Sequence, residues 1–220
     1  MTNLAIFDLD NTLLAGDSDY AWGNFLVDKG IVDPEYYRKE NDRFYREYQE
    51  KTLDIHEYQR FVLTPLMSMS AEQRNTLHQE FMTSHIAPLR QAKADQLIAK
   101  HQSQGDTLLV ITATNHFIAA PIVSWLGIPN LLATEPEVQD NQLTGNIVGY
   151  PCFQEGKIHR LEAWLHEQPS FSHTCFYSDS INDAPLMHYV DHAVAVDPDD
   201  KLKELAIEQQ WPIISLRTPV

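Results

Sequence analysis

The chain has 220 residues, is 43% hydrophobic and 21% charged, and carries a formal net charge of -15 at pH 7. That acidity argues against nucleic acid or an anionic membrane surface as a partner. No apolar run approaches the roughly 20 residues of a membrane span, and two widely spaced cysteines, Cys152 and Cys175, do not make a disulfide framework or a zinc cluster. The N-terminal stretch lacks a basic region, and Asp8 interrupts its apolar run, so no secretory signal is expected and the cytoplasm is the default compartment.

In chain order, Leu4 to Phe7 reads as a buried strand ending at Asp8. Residues 18–85 show no convincing strand. They show helix starts at Asp33-Pro34, an N-cap followed by a first-turn proline, and at Asp54 and Ser70. Arg38, Lys39, Arg43 and Arg46 fall in this segment among Glu35, Glu40, Asp42 and Glu47, which predicts a solvated, ion-paired helix face. Its many aromatic residues, among them Trp22, Phe25, Tyr36, Tyr37, Phe44, Tyr45, Tyr48, Tyr58 and Phe61, are expected to form its core. Beyond it, short apolar runs at 107–111, 174–178, 192–196 and 212–216 alternate with helical patterns near 88–104, 116–126, 156–167 and 199–210. Residues 143–149 suggest a small hairpin arm. Continuous apolar strands alternating with helices predict an α/β fold with a Rossmann-like parallel sheet buried on both faces. The expected division is an α/β core of residues 1–17 and 86–220, with a helical cap of residues 18–85.

The chemistry-bearing residues sit at predicted strand ends. In Asp8-Leu9-Asp10-Asn11-Thr12 the two aspartates share a strand face. They would point into the crevice where open α/β sheets bind ligands. Paired carboxylates suit a nucleophile beside a proton carrier. A calcium loop is excluded, because Leu13 stands at the obligatory glycine position and Asp19 at the bidentate glutamate position. Thr112 ends the second strong strand, and Ala113-Thr114-Asn115 leads into a helix, giving either an anion site or an ordinary N-cap. Lys157 opens a helix, where the macrodipole does not favour a cation. Asp179 and Asp183 straddle a strand-to-helix turn and have the oxygen chemistry that suits magnesium. His188 and His192 are four apart, but no third ligand completes a zinc site. Cys175 is expected to be a buried apolar side chain.

Taken together, this constellation resembles the haloacid dehalogenase superfamily, and within it the phosphoserine-phosphatase-like branch. Asp8 to Thr12 is similar to that family's first motif, Thr112 to its second, Lys157 to its third and Asp179 to Asp183 to its fourth. The helices of 18–85 resemble the cap that follows its first motif. The resemblance implies a haloacid-dehalogenase-like core and a magnesium-dependent phosphatase acting on a small phosphorylated metabolite. Asp8 would be the nucleophile and Asp10 the general acid and base. Magnesium would be held by Asp8, Asp10 and Asp179, with Asp183 supporting the metal or the lysine. Thr112, Ala113, Lys157 and Asn182 would hold the substrate. Aspartate at position 10 is similar to phosphatases and phosphomutases, whereas dehalogenases and transport ATPases differ there.

For the substrate, Asp17 matches an acidic residue that binds an ammonium group in phosphoserine phosphatases. Their carboxylate-binding cap arginine falls on Val62, with Arg60 two residues away. Keeping the amine partner and losing the carboxylate partner implies an amino-alcohol phosphate such as histidinol phosphate; phosphoserine is the alternative. From another class, a receiver domain or an idle phosphate-binding protein would use similar residues. The receiver is much shorter, and an idle protein need not keep Asp8, Asp10, Lys157 and Asp179 together. The sequence leaves the oligomeric state open.

Overall fold

Four consecutive apolar residues, Leu4–Phe7, form the central strand β1 in the computed structural model, which describes residues 2–217. Their alternation divides the core. Leu4 and Ile6 join one buried cluster with Leu109, Ile111 and Phe176, while Ala5 and Phe7 join a second with Val110 and Tyr177.

The other strands are β2 (Thr107–Asn115), β3 (Asn130–Gln139), β4 (Gln142–Val148), β5 (Thr174–Ser178), β6 (His192–Val196) and β7 (Ile213–Ile214). The sheet order is β4-β3-β2-β1-β5-β6-β7. All neighbours are parallel except the β3–β4 pair. The chain builds outward from β1 through β2 on one side and through β5 on the other. The order therefore reverses beside β1, and a crevice opens beyond the carboxyl ends of β1, β2 and β5. Helices α5 (Ala92–Ser103) and α6 (His116–Trp125) cover one face. Helices α7 (Glu155–Leu165), α8 (Ala184–Tyr189) and α9 (Asp200–Glu208) cover the other.

Some elements differ from the expectation. β3 was not foreseen. Its outer half contains Pro136, which removes a ladder donor, and the pairing shifts register between Pro136 and Val138. The arm expected at 143–149 is the returning strand of a β3–β4 hairpin. Asp140 and Asn141 turn it with φ of 49° and 63°, the left-handed backbone that a two-residue hairpin requires. β2 continues to Asn115, so Thr112 and Thr114 lie on a strand; Asn115 caps α6 by accepting from the Ile118 N–H at 3.2 Å. Cys175 is half-buried.

Residues 18–85 hold four α-helices and no strand: α1 (Ser18–Asp28), α2 (Pro34–Glu50), α3 (Ile55–Leu63) and α4 (Ala71–Phe81). Asp17, Asp33, Asp54 and Ser70 cap them, and Ser70 and Gln73 form a reciprocal capping box. Arg43 pairs with Glu40, Glu47 and Glu57, the ion-paired face that the sequence predicts. An aromatic cluster of Trp22, Phe25, His78 and Phe81 packs against Phe117 of α6 and fixes α1 and α4 to the sheet layer. Among the described residues, no helix is long and apolar enough to cross a membrane.

Candidate active site

Asp8 follows β1 directly, and its N–H donates to the Tyr177 carbonyl of β5 at 2.9 Å. The residue as a whole is 5% exposed, and its carboxylate accepts from Lys157 Nζ at 2.9 Å. Lys157 also donates to Asp183 at 2.8 Å. The lysine reaches this point because α7 starts very close to the preceding loop. A Cβ on Gly156 would lie 2.0 Å from the Pro151 carbonyl oxygen, so only glycine fits there. Asp10 is held by three donors: Ser18 N–H at 2.6 Å, Thr114 Oγ1 at 2.8 Å and Thr112 Oγ1 at 3.4 Å. Thr12 Oγ1 donates to Asp179 at 2.9 Å. Strand ends far apart in sequence therefore converge on one point.

Burial dominates the electrostatics. It pushes the Asp8 carboxyl up to about 7, with Lys157 acting against it and Asp183 and Asp10 adding to it. Burial, followed by the charge of Asp8, holds Asp179 well above the usual carboxylate range. Burial alone would lower Lys157, but the carboxylates of Asp183 and Asp8 hold it well above the ordinary lysine range, so it is charged.

The inserted helices supply the other wall. Tyr20, Asn41, Phe44, Tyr45, Tyr48 and Tyr58 line the cleft, as does Phe153 from the sheet layer. The expectation that these aromatics form the cap core holds for the buried Phe44 and is corrected for Tyr45, Tyr48 and Tyr58, which line the cleft, and for Tyr36, which is 59% exposed. Asp17 and Ala113 also line the cleft. Asp17 accepts from the Tyr20 N–H at 2.8 Å as the N-cap of α1, and burial, with the Asp10 charge adding, pushes it up to about 7.

Asn182 and Asp183 both hold protein partners beside the site. Asn182, expected to touch substrate, donates to the Tyr48 carbonyl at 2.9 Å and accepts from Gln154 at 3.3 Å. The first bond ties α2 to the turn after β5, and the second joins that turn to the start of α7. The Asp183 carboxylate takes donors from Lys157 and from Ser178 Oγ at 2.7 Å, which directs it to the lysine. Thr114, Asp19, Thr12 and Ser178 were not foreseen. Thr114 shares a strand face with Thr112, a signal hidden while the strand was expected to stop at 111. Thr12 closes the Asp8 to Thr12 motif without a role assigned to it, and Asp19 and Ser178 carried no sequence signal of their own.

Comparison with known proteins bears on the family and the fold. The model of the haloacid dehalogenase-like hydrolase family matches residues 5–188. A histidinol-phosphatase of Neisseria meningitidis is 44% identical over 222 residues, covering 99% of this chain and all of that one. A phosphoserine phosphatase of Mycobacterium tuberculosis is 30% identical, covering 99% of this chain and 72% of that one. A protein of unknown function from Bordetella pertussis Tohama I has a solved structure with TM-score 0.92 and 38% identity, covering 99% and 100% of the two chains. A substrate-bound phosphoserine phosphatase shares the fold, with TM-score 0.71 at 18% identity over 99% and 94%. The family model matches most of the chain, and a relative matched over its full length is named a phosphatase: the chain belongs to the haloacid dehalogenase-like hydrolases and is a phosphatase.

Proposed function

We propose that this phosphatase hydrolyses an amino-alcohol phosphate of the histidinol phosphate type through an aspartyl-phosphate on Asp8. The observation that carries the substrate reading is the charge of the cleft. Lys157, engaged with Asp8, is the only cation among the described residues that line it, and the wall facing the leaving group carries Asp17 and Asp19. An ammonium group is favoured there. A substrate carboxylate has no partner: Val62 is buried in the apolar core, and Arg60 lines a separate outer groove. That disfavours phosphoserine. The Neisseria relative's name points the same way.

In the reaction, a carboxylate oxygen of Asp8 attacks phosphorus, and the leaving alkoxide takes a proton from Asp10. Asp10 then takes a proton from water, which attacks the aspartyl-phosphate and releases phosphate and Asp8. Ser18, Thr112 and Thr114 fix Asp10 for both transfers. Lys157 neutralises charge on the phosphoryl oxygens, and Asp183 positions the lysine.

The donor set fits magnesium. The Asp8 and Asp179 carboxylates and the Asp10 carbonyl are hard oxygen donors, and Lys157 engages only Asp8 and Asp183 of the four aspartates Asp8, Asp10, Asp179 and Asp183. Among the described residues no three acidic, histidine or cysteine side chains form a ready cage. Magnesium does not need one, since it takes one or two carboxylates plus water and phosphate oxygens. When bound, it supplies the positive charge that an anionic nucleophile needs to meet an anionic phosphate. Residues 18–85 act as the cap that excludes water and reads the leaving group, over a core of 1–17 and 86–220.

A screen of phosphorylated metabolites with magnesium tests the reading. Histidinol phosphate should be hydrolysed with a higher kcat/KM than phosphoserine; a clear preference for phosphoserine overturns it.

A further inference from the structure

Asp19 is a buried acid that the proposed chemistry does not use. It lies in the first turn of α1, lines the cleft and is 6% exposed. Its Oδ1 has no hydrogen-bond partner. A buried carboxylate oxygen without a donor is costly. Asp17 and Asp10 add negative charge on top of burial, and the hydroxyls of Thr114 and Tyr58 act against them on the same carboxylate. The lining residues offer no cation except Lys157, which Asp8 and Asp183 engage. The fold therefore retains two acids, Asp17 and Asp19, on the leaving-group wall, although one suffices for one ammonium. The aromatic residues Phe44, Tyr45 and Tyr58 line the same cleft.

We propose that Asp19 is a specificity-determining residue that accepts a second nitrogen donor from the leaving group, the N–H of a flat heteroaromatic ring such as imidazole, while Asp17 takes the aliphatic ammonium. This rests on the amino-alcohol phosphate reading above and deepens it. The aromatic wall buries the ring faces, and the unpaired Oδ1 meets the ring N–H. A flat aromatic ring without an N–H leaves that oxygen unsatisfied, and a site built around such a hydrogen bond rejects it.

Phenylalaninol phosphate is that control: it keeps the phosphate, the ammonium and a flat ring but has no ring nitrogen. The native enzyme should favour histidinol phosphate over it by about 10- to 150-fold in kcat/KM, the range of a hydrogen bond to a charged group. Asp19→Leu should bring that ratio close to one. If the native preference exists and survives in Asp19→Leu, or if the variant loses equally on both substrates, Asp19 does not read the ring and the inference falls alone. Equal native rates on the two phosphates, both well above p-nitrophenyl phosphate, also overturn only this inference. If neither amine-bearing phosphate exceeds p-nitrophenyl phosphate, the substrate reading falls and takes this inference with it. Should Asp19→Leu fail to fold, product inhibition of the native enzyme decides. Histidinol should inhibit at least about ten-fold more tightly than phenylalaninol, and equal inhibition overturns the proposal.

Discussion

Lys157 Nζ lies 2.9 Å from Asp8 Oδ1, and the two side chains are 3% and 8% exposed although 149 residues separate them in sequence. The lysine also bonds Asp183, so one cation bridges two buried carboxylates. Lys157→Met should lower kcat by about 10²- to 10³-fold, as for loss of one charge-stabilising donor. It should also destabilise the protein by about 3–5 kcal/mol by leaving buried charge unpaired. Steady-state kinetics and urea unfolding measure the two effects. A stable variant that keeps a tenth of native kcat would remove the lysine from the chemistry.

Asp8→Asn should abolish turnover while the protein remains folded, because an amide is not a phosphoryl acceptor. Fluoroberyllate, a phosphoryl mimic, should bind the native enzyme and not this variant, as read by fluorine NMR. Substantial turnover by the folded variant would show that another group attacks.

Chelation should stop turnover, and added magnesium should restore it. A readout independent of activity is thermal stability. Saturation at 100 times Kd contributes about 2.7 kcal/mol, which raises Tm by roughly 2–4 °C per kcal/mol in a domain of this size. The rise should shrink in Asp179→Asn. An unchanged native Tm together with full activity in chelator contradicts the metal assignment.

Asp17 links selectivity to pH. Asp17→Asn should reduce the preference for an amino-alcohol phosphate over p-nitrophenyl phosphate by about 10- to 150-fold. The same change should stabilise the empty protein at high pH. The folded state holds the Asp17 proton up to about 7, against 3.8 unfolded. Between those values the native state binds more protons than the unfolded one, so its stability falls as pH rises through that window. Asparagine keeps the N-cap acceptor for Tyr20 and carries no charge. Melts without metal should show the variant ahead by at least about 2–4 °C at pH 8.5 and level with native near pH 4. A pH-independent difference would mean that the charge of Asp17 is not what strains the fold.

Gly156→Ala should act on catalysis without touching the substrate. The added Cβ would meet the Pro151 carbonyl oxygen at 2.0 Å, so the start of α7 must move and carry Lys157 with it. A shift of about 1 Å costs roughly 10²-fold. The readout is kcat with native circular dichroism; unchanged kcat would show that the helix start tolerates the displacement.

Much of the architecture was legible because its signals are local. Leu4–Phe7 needs only four apolar residues before a polar one to read as a strand buried on both faces, and Asp33, Asp54 and Ser70 cap their own helices. β3 was hidden because Pro136 and two glutamates occupy its antiparallel half, where only the hairpin partner makes an extended backbone favourable.

The sequence by itself determined which chemistry-bearing residues stand at strand ends, in what order, and that an acidic chain keeps a lone lysine between residues 100 and 201. Tertiary structure alone decided what each of them touches. Asp183 turns to Lys157 and Ser178, Asn182 bonds Tyr48 and Gln154, and Asp19, a residue lining the cleft, is left with a buried, unpartnered oxygen. Chain periodicity sets the face on which a side chain emerges. Its partner and its charge state depend on burial and on groups from distant elements, and these exist only once the sheet and the inserted helices have packed together.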